Sequence, residues 1–215
     1  LFFINEKKYN NFKECLILTL ESIKTKNLIF FVDDIVFINK INFDIAAELD
    51  TKSTILSLRL HPNLKRSYTA NKKIKPPNFT QYRKDDELIK FAWYEQECEW
   101  SCPWSVDGHV LSLSEVYYIA KNSNFFAPNS FEGVFFNFNY LAKNKTGICF
   151  EESKVFNLTI NKVQNENSNK SGNISVSYLL EKWDKNLAIN YSDFKGFKSE
   201  STHEVKAISF TKRNL

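Results

Sequence analysis

The sequence predicts an α/β domain built on a mixed sheet. Three observations carry that reading. Apolar runs of strand character recur at 28–38, 56–60 and 146–160. Segments with helical spacing of apolar residues fall among them, at 12–24 and 112–121. Alternation of this kind marks α/β architecture. Some links between the runs are too short for full parallel crossovers, so part of the sheet must be antiparallel.

Taken in order, Phe12, Leu16, Leu20 and Ile23 are spaced for an amphipathic helix over 12–24. The run 28–38, "LIFFVDDIVFI", reads as a central strand. Asp44 caps a short helix through Leu49. In "STILSLRL", Leu56, Leu58 and Leu60 alternate with Ser57 and Arg59, a half-buried strand pattern that puts Arg59 on the polar face. Residues 65–89, with Pro76-Pro77 in the middle, read as a long exposed loop. An aromatic block follows, with Trp93, Trp100 and Trp104, and Asp107-Gly108 marks a turn. Ser112 and Glu115 have capping-box spacing before a helix through Lys121. "APNSFE" turns through a proline into another helix. Strands are expected in 146–160, a polar loop at 164–173, and a Ser-capped helix around Leu179, Leu180 and Trp183.

Composition narrows the classes. The 215 residues carry a net charge of +4, too mild for a nucleic-acid protein. No stretch approaches the roughly 20 apolar residues of a membrane-spanning helix. The chain contains no Met and begins at Leu1-Phe2-Phe3, which suggests an N-terminal segment ahead of it. Cys98 and Cys102 lie near His109, but no second ligand pair accompanies them, so free thiols are expected over a zinc site.

Asp33 and Asp34 interrupt the apolar run at 28–38. Buried carboxylates are costly unless paired. Two readings stand. In one, the strand ends near Val32 and the aspartates open a turn, bonding main-chain N–H groups. In the other, the strand delivers them to a crevice of the kind that binds ligands in open α/β sheets. Adjacent strand residues face opposite ways. One aspartate would then hold Mg²⁺ or Mn²⁺, and the other a sugar or ribose hydroxyl, or act through water.

"FFVDDIVF" resembles the acidic metal and nucleotide-sugar motif of GT-A-fold glycosyltransferases. "LSLRLHPN", "WSVDGHVLSLSEV", "FAPNSFEG" and "KVFNLTINKVQ" are similar, in the same order, to blocks of a bacterial group of GT-A-like enzymes of the family 2 type. The resemblance covers most of 12–183. It departs from the usual Asp-x-Asp at Ile35. It implies a GT-A-like domain over 1–183, N-terminally incomplete, with 184–215 as a tail. It implies a metal-dependent transferase that takes a nucleotide-sugar donor and a glycan or lipid-linked acceptor. Its expected place is the cytoplasm or the inner face of a membrane. A carbohydrate-binding or inactive transferase-like module is the alternative.

On this resemblance Asp34 anchors the metal and Asp33 a donor hydroxyl, and Asp107 either faces the acceptor as general base, its pKa raised by aromatic walls, or is simply part of the Asp-Gly turn. His109 is a second base or an acceptor contact; the structural alternative is a hydrogen-bonded histidine. Trp104 stacks on a sugar or packs in the core. Arg59 meets a diphosphate or an ordinary carboxylate. Asn129 and Glu132 either cap the helix at "PNSFE" or touch acceptor hydroxyls. Asn161 and Gln164 share the likeness without an evident chemical role. His203 is a late metal ligand or a solvated tail residue.

Overall fold

A computed structural model of the chain describes residues 4, 11–93, 96–161 and 171–213. The strands are β1 (Asn27–Ile29), β2 (Ile35–Phe37), β3 (Thr54–Ser57), β4 (Arg66–Ser67), β5 (Lys72–Lys73), β6 (Thr80–Arg83), β7 (Leu88–Ala92), β8 (His109–Ser112), β9 (Thr146–Phe150), β10 (Val155–Leu158), β11 (Leu187–Ile189), β12 (His203–Glu204) and β13 (Phe210–Lys212). The helices are α1 (Phe12–Ser22), α2 (Phe43–Glu48), α3 (Leu113–Asn122), α4 (Pro128–Phe135) and α5 (Val176–Asp184).

The main sheet has six strands in the order β1-β8-β3-β9-β7-β6. Only β3 and β9 pair in parallel; the other neighbours are antiparallel. The architecture is therefore α/β with a mixed sheet flanked by helices, as expected. A second sheet has the order β12-β10-β2, with β10 antiparallel to β2 and parallel to β12.

The run expected as one strand over 28–38 is divided. β1 belongs to the main sheet and β2 to the small one, and Asp33-Asp34 make the turn between them, with Ile35 N–H donating to Val32 O. Residues 65–89 are not simply loop, because β4 pairs with β5 and β6 with β7. Within the expected tail, β11, β12 and β13 lie between residues 187 and 212, and Phe194 packs with Val36, Ile38, Phe156 and Leu158.

Side-chain caps start α2 and α5. Asn42, not Asp44, caps α2, accepting from the Asp44 N–H at 3.0 Å. Ser175 caps α5 by accepting from the Tyr178 N–H at 3.1 Å. Ser112 sits at the N-cap of α3 but makes no side-chain cap bond, and Glu115 instead pairs with Lys145 at 3.0 Å. α1 buries Leu16 and Leu20 against the largest core cluster, which also holds Trp93, Trp100, Trp104, Phe131 and Phe135. No helix among the described residues is long and apolar enough to cross a membrane.

Candidate functional site

β1, β3 and β9 end on the same side of the main sheet, because β8 runs antiparallel to both β1 and β3 and β9 runs parallel to β3. The chain leaving β3 carries Arg59 there, and the chain entering β8 carries Ser105 and Asp107. Main-chain bonds lock these segments together: Gly108 N–H donates to Phe30 O at 2.9 Å and Leu58 N–H to Gly108 O at 2.9 Å. Gly108 takes φ +73°, a left-handed turn that a side chain would strain. The small sheet abuts this edge, with Lys154 and Val155 N–H groups donating to Leu58 O at 2.7 and 3.2 Å.

Arg59 is the centre of a polar network. Its Nη1 donates to Asp107 Oδ2 at 2.7 Å and to Asn157 Oδ1 at 3.3 Å, and Nη2 donates to Ser105 Oγ at 3.2 Å. Asn157 Nδ2 donates to Asp34 Oδ1 at 2.8 Å and to Asp107 Oδ1 at 3.3 Å. Ser105 Oγ donates to Glu132 Oε1 at 3.2 Å and accepts from the Asp107 N–H at 3.1 Å. His203 Nε2 lies 4.0 Å from Asp107 Oδ2. Its ring stacks on Tyr68 with centroids 5.7 Å apart, and Nδ1 meets Thr202 Oγ1 at 3.0 Å.

The geometry follows from strand register. Asn157 on β10 has Ile35 as its Cα partner on one side and His203 on the other. Asp34 immediately precedes β2, and its carbonyl accepts from Leu158 N–H at 2.8 Å. Arg59 and Asp107 are each only 6% exposed and Asn157 1%. Asp34, Glu132 and His203 are half-buried.

Charge explains the titration of each group. Burial pushes Asp107 up, but the Arg59 guanidinium, with help from His203 and Asn157, outweighs it and holds the carboxyl below its ordinary range. That reverses the direction expected from aromatic walls, because the dominant neighbour is a cation. Burial raises Asp34 to about 6, against the pull of the Asn157 bond and with the added repulsion of Asp107 and Asp33. Glu132 is raised by burial and by the charge of Asp107. Burial, and then Arg59, lowers His203 to about 4, so it is neutral at pH 7. Three carboxyl groups thus surround one guanidinium, and the two less satisfied ones take protons more readily than usual.

The structure brings together five of the residues singled out in the sequence: Asp34, Arg59, Asp107, Glu132 and His203. Asp33 is exposed on the turn. Asn129 is exposed at the start of α4, outside the network. His109 is buried beside it; Nδ1 donates to Pro103 O at 2.9 Å when the ring is neutral, and burial lowers its pKa to about 4. Trp104 belongs to the core, where Nε1 donates to Phe138 O at 3.2 Å and its ring packs near Phe135. Trp93 and Trp100 are buried as well. Asn161 is half-buried, and Gln164 lies outside the described residues. Arg59 leaves the polar face assigned to it, because every residue of β3 is buried and the turn beyond it is covered by the small sheet.

Asn157 and Ser105 were not singled out from the sequence. A signal for Asn157 existed: a lone amide between Phe156 and Leu158 in an apolar strand needs partners as surely as a buried carboxylate does.

Among the described residues, no three His, Cys, Asp or Glu side chains come together as a ready-made metal cage. Mg²⁺ and Mn²⁺ often take only one or two protein carboxylates and complete their shell with substrate phosphates and water. Asp34 fits that mode: it is half-buried, short of compensating charge, and among the described residues no hydrogen bond reaches its Oδ2. His203 adds a neutral imidazole on the far side of Asn157.

A cleft of about 870 Å³ lies at the opposite end of the sheet, lined by Thr25, Lys26, Asn27, Lys52, Ser112 and Ser114 among others. Asn27 and Ser112 pair at the end of β1 and β8 away from the network, so this cleft is no part of it. No family model, curated protein or solved structure matches the chain.

Proposed function

We propose that the chain is a glycosyltransferase domain of GT-A-like type, moving a sugar from a nucleotide-sugar donor to a hydroxyl on a glycan or lipid-linked acceptor. The observation that carries this reading is convergence. Segments around residues 34, 59, 107, 132 and 203, far apart in the chain, meet in one network at the carboxyl ends of β1, β3 and β9. Crevices at that end of an open α/β sheet are where ligands bind. Four ordered sequence blocks point the same way.

The residues divide the work by their charge states. Asp34 would anchor Mn²⁺ or Mg²⁺, with neutral His203 as a further donor and Asp33 free for a ribose or sugar hydroxyl. The ion would neutralise charge on the departing nucleoside diphosphate. Asp107 stays ionised, since both its oxygens are engaged by Arg59 and Asn157. It orients Arg59 and sets the field felt by Glu132. A catalytic base needs a pKa near the working pH and an accessible lone pair. Glu132, raised and only half-buried, meets that description better than Asp107 does. Glu132 therefore receives the acceptor proton, and Asp107 acts through its neighbours. His109, with its ring enclosed, supports the Asp107 turn from behind.

The burial of Trp93, Trp100 and Trp104 counts against a carbohydrate-binding module that stacks sugars on those three rings.

The test is a transfer assay with a panel of nucleotide sugars, with and without Mn²⁺, on the wild type and on Asp34→Ala, Glu132→Gln and Asp107→Asn. Expected is metal-dependent release of nucleoside diphosphate that fails in Asp34→Ala and falls by about 10²–10⁴-fold in Glu132→Gln. Equal release by wild type and Asp34→Ala would contradict the assignment.

A further inference from the structure

We propose that α5 is a membrane-docking helix that lays its apolar stripe on an anionic lipid surface. Val176, Leu179, Leu180 and Trp183 follow the i, i+3, i+4, i+7 spacing of a single helix face. A face of that kind ordinarily packs on the protein. Here Val176 and Leu180 are each 57% exposed and Trp183 55%, and α5 has no buried residue. The helix rests on the two-stranded β11–β13 sheet, where the Tyr178 ring meets Phe210 edge-on at 5.9 Å.

The surroundings identify the occupant. Cations stand at the stripe's edge, one of them stacked on its tryptophan. The Arg213 guanidinium lies 3.6 Å from the centre of the Trp183 ring, and Nη2 donates to Trp183 O at 3.0 Å. Lys182 Nζ lies 4.7 Å over Tyr178 and 5.7 Å over Phe210. Over 176–190 and 210–213, four cations (Lys182, Lys185, Lys212, Arg213) stand against two acids (Glu181, Asp184). Apolar residues and a tryptophan on one face, with lysine and arginine around the other, are the composition of a helix lying in a lipid headgroup layer. Trp183 is the one exposed tryptophan of the four; the other three are buried. Indole favours the boundary between apolar and wet phases.

A second copy of the chain is a poorer occupant. The stripe spans seven residue steps, about 10 Å at 1.5 Å each. A stable protein interface buries about 1,000 Å² or more, which so short a helix does not supply alone. Insertion of the three exposed side chains, Val176, Leu180 and Trp183, between lipids has no such requirement, with Leu179 half-buried at the edge of the stripe. The proposal stands on this surface and is independent of the transferase reading.

Co-sedimentation tests it, using the whole chain with vesicles of phosphatidylcholine alone and of phosphatidylcholine mixed with phosphatidylglycerol. Expected is pelleting with the anionic vesicles, with Trp183 becoming protected from aqueous quenchers while the three buried tryptophans do not change. Leu180→Glu reduces partitioning about tenfold or more, since a carboxylate replaces an inserted side chain. The pair Lys185→Glu and Lys212→Glu removes the preference for anionic lipid. Circular dichroism of these surface variants confirms that the fold is kept. Absence of pelleting with either vesicle, or pelleting unchanged in Leu180→Glu, overturns the proposal. So does self-association in sedimentation velocity that Leu180→Glu abolishes without any vesicle binding, which would assign the stripe to a second copy.

Discussion

Asn157 and Asp34 are joined by a hydrogen bond of 2.8 Å, and the same amide nitrogen reaches Asp107 at 3.3 Å. One side chain is therefore shared by two carboxylates from separate segments, while its carbonyl oxygen accepts from Arg59. Asn157→Leu removes these bonds and leaves both carboxylates less satisfied. The expected loss of stability is about 1–3 kcal/mol per charged group left short of a partner, read from urea unfolding. No change in the unfolding midpoint would show that the bridge is energetically idle.

Arg59 faces the same test from the cationic side. Arg59→Met leaves Asp107 buried and uncompensated, which destabilises proteins by about 3–5 kcal/mol. Replacing both members, Arg59→Met with Asp107→Leu, recovers part of the loss because no charge is then stranded. A double-mutant cycle in thermal unfolding measures this. Equal losses in the single and double variants would contradict the pairing.

Gly108 sets the position of Asp107. Its φ is +73°, and an added Cβ would stand 3.3 Å from Val155 Cγ2. Gly108→Ala is expected to destabilise the fold by about 1–2 kcal/mol from backbone strain, with further loss from the crowded contact. Calorimetry of this variant gives the number directly, and an unshifted melting temperature would mean that the turn accepts a side chain.

Acid weakens the fold through its histidines. Burial is the leading cause that lowers His61, His109 and His203 to about 4. An unfolded histidine titrates near 6.5. The unfolded chain therefore binds protons first as pH falls, so the stability these groups contribute is complete above about 6.5 and declines towards 4. Asp34 and Glu132 are raised and act the opposite way, stabilising the folded state at low pH and losing that contribution as pH rises, for Asp34 through about 6. Three histidines outnumber two carboxyls, so stability at pH 5 is expected to lie below that at pH 7. His61→Gln, remote from the network, should flatten this dependence. A profile with the same slope in that variant would remove His61 from the account.

The alternation of apolar runs and helical spacings made the mixed α/β sheet legible, since both periods are local properties of the chain. A break at Asp33-Asp34 was one of the two readings of 28–38, but the assignment of its halves to different sheets was not legible. Leu28 and Val36 are both apolar and buried, and nothing in their identity tells that they belong to different sheets. The backbone follows the turn reading of the aspartates, but Asp34 is met by the Asn157 side chain and not by main-chain N–H groups. Asp33 and Asp34 do form a turn, and Asp34 nonetheless sends its carboxylate into a buried network. Arg59 looked like a polar-face residue because alternation marks the side of a strand but not what later covers it. His203 was expected in a tail, yet 184–215 supplies an edge strand, and only the pairing of β12 with β10 brings that histidine to Asp107. Long-range pairing of this kind leaves no mark on a single sequence.

The central claim is that Asp34 holds a divalent cation together with a nucleoside diphosphate at the carboxyl end of the sheet. Calorimetric titration with Mn²⁺ and a nucleoside diphosphate, alone and together, on wild type and Asp34→Ala tests it most directly. The account predicts that each ligand binds more tightly in the presence of the other, and that Asp34→Ala abolishes this mutual enhancement. Binding of the nucleotide with equal affinity in both proteins, indifferent to the metal, would contradict it.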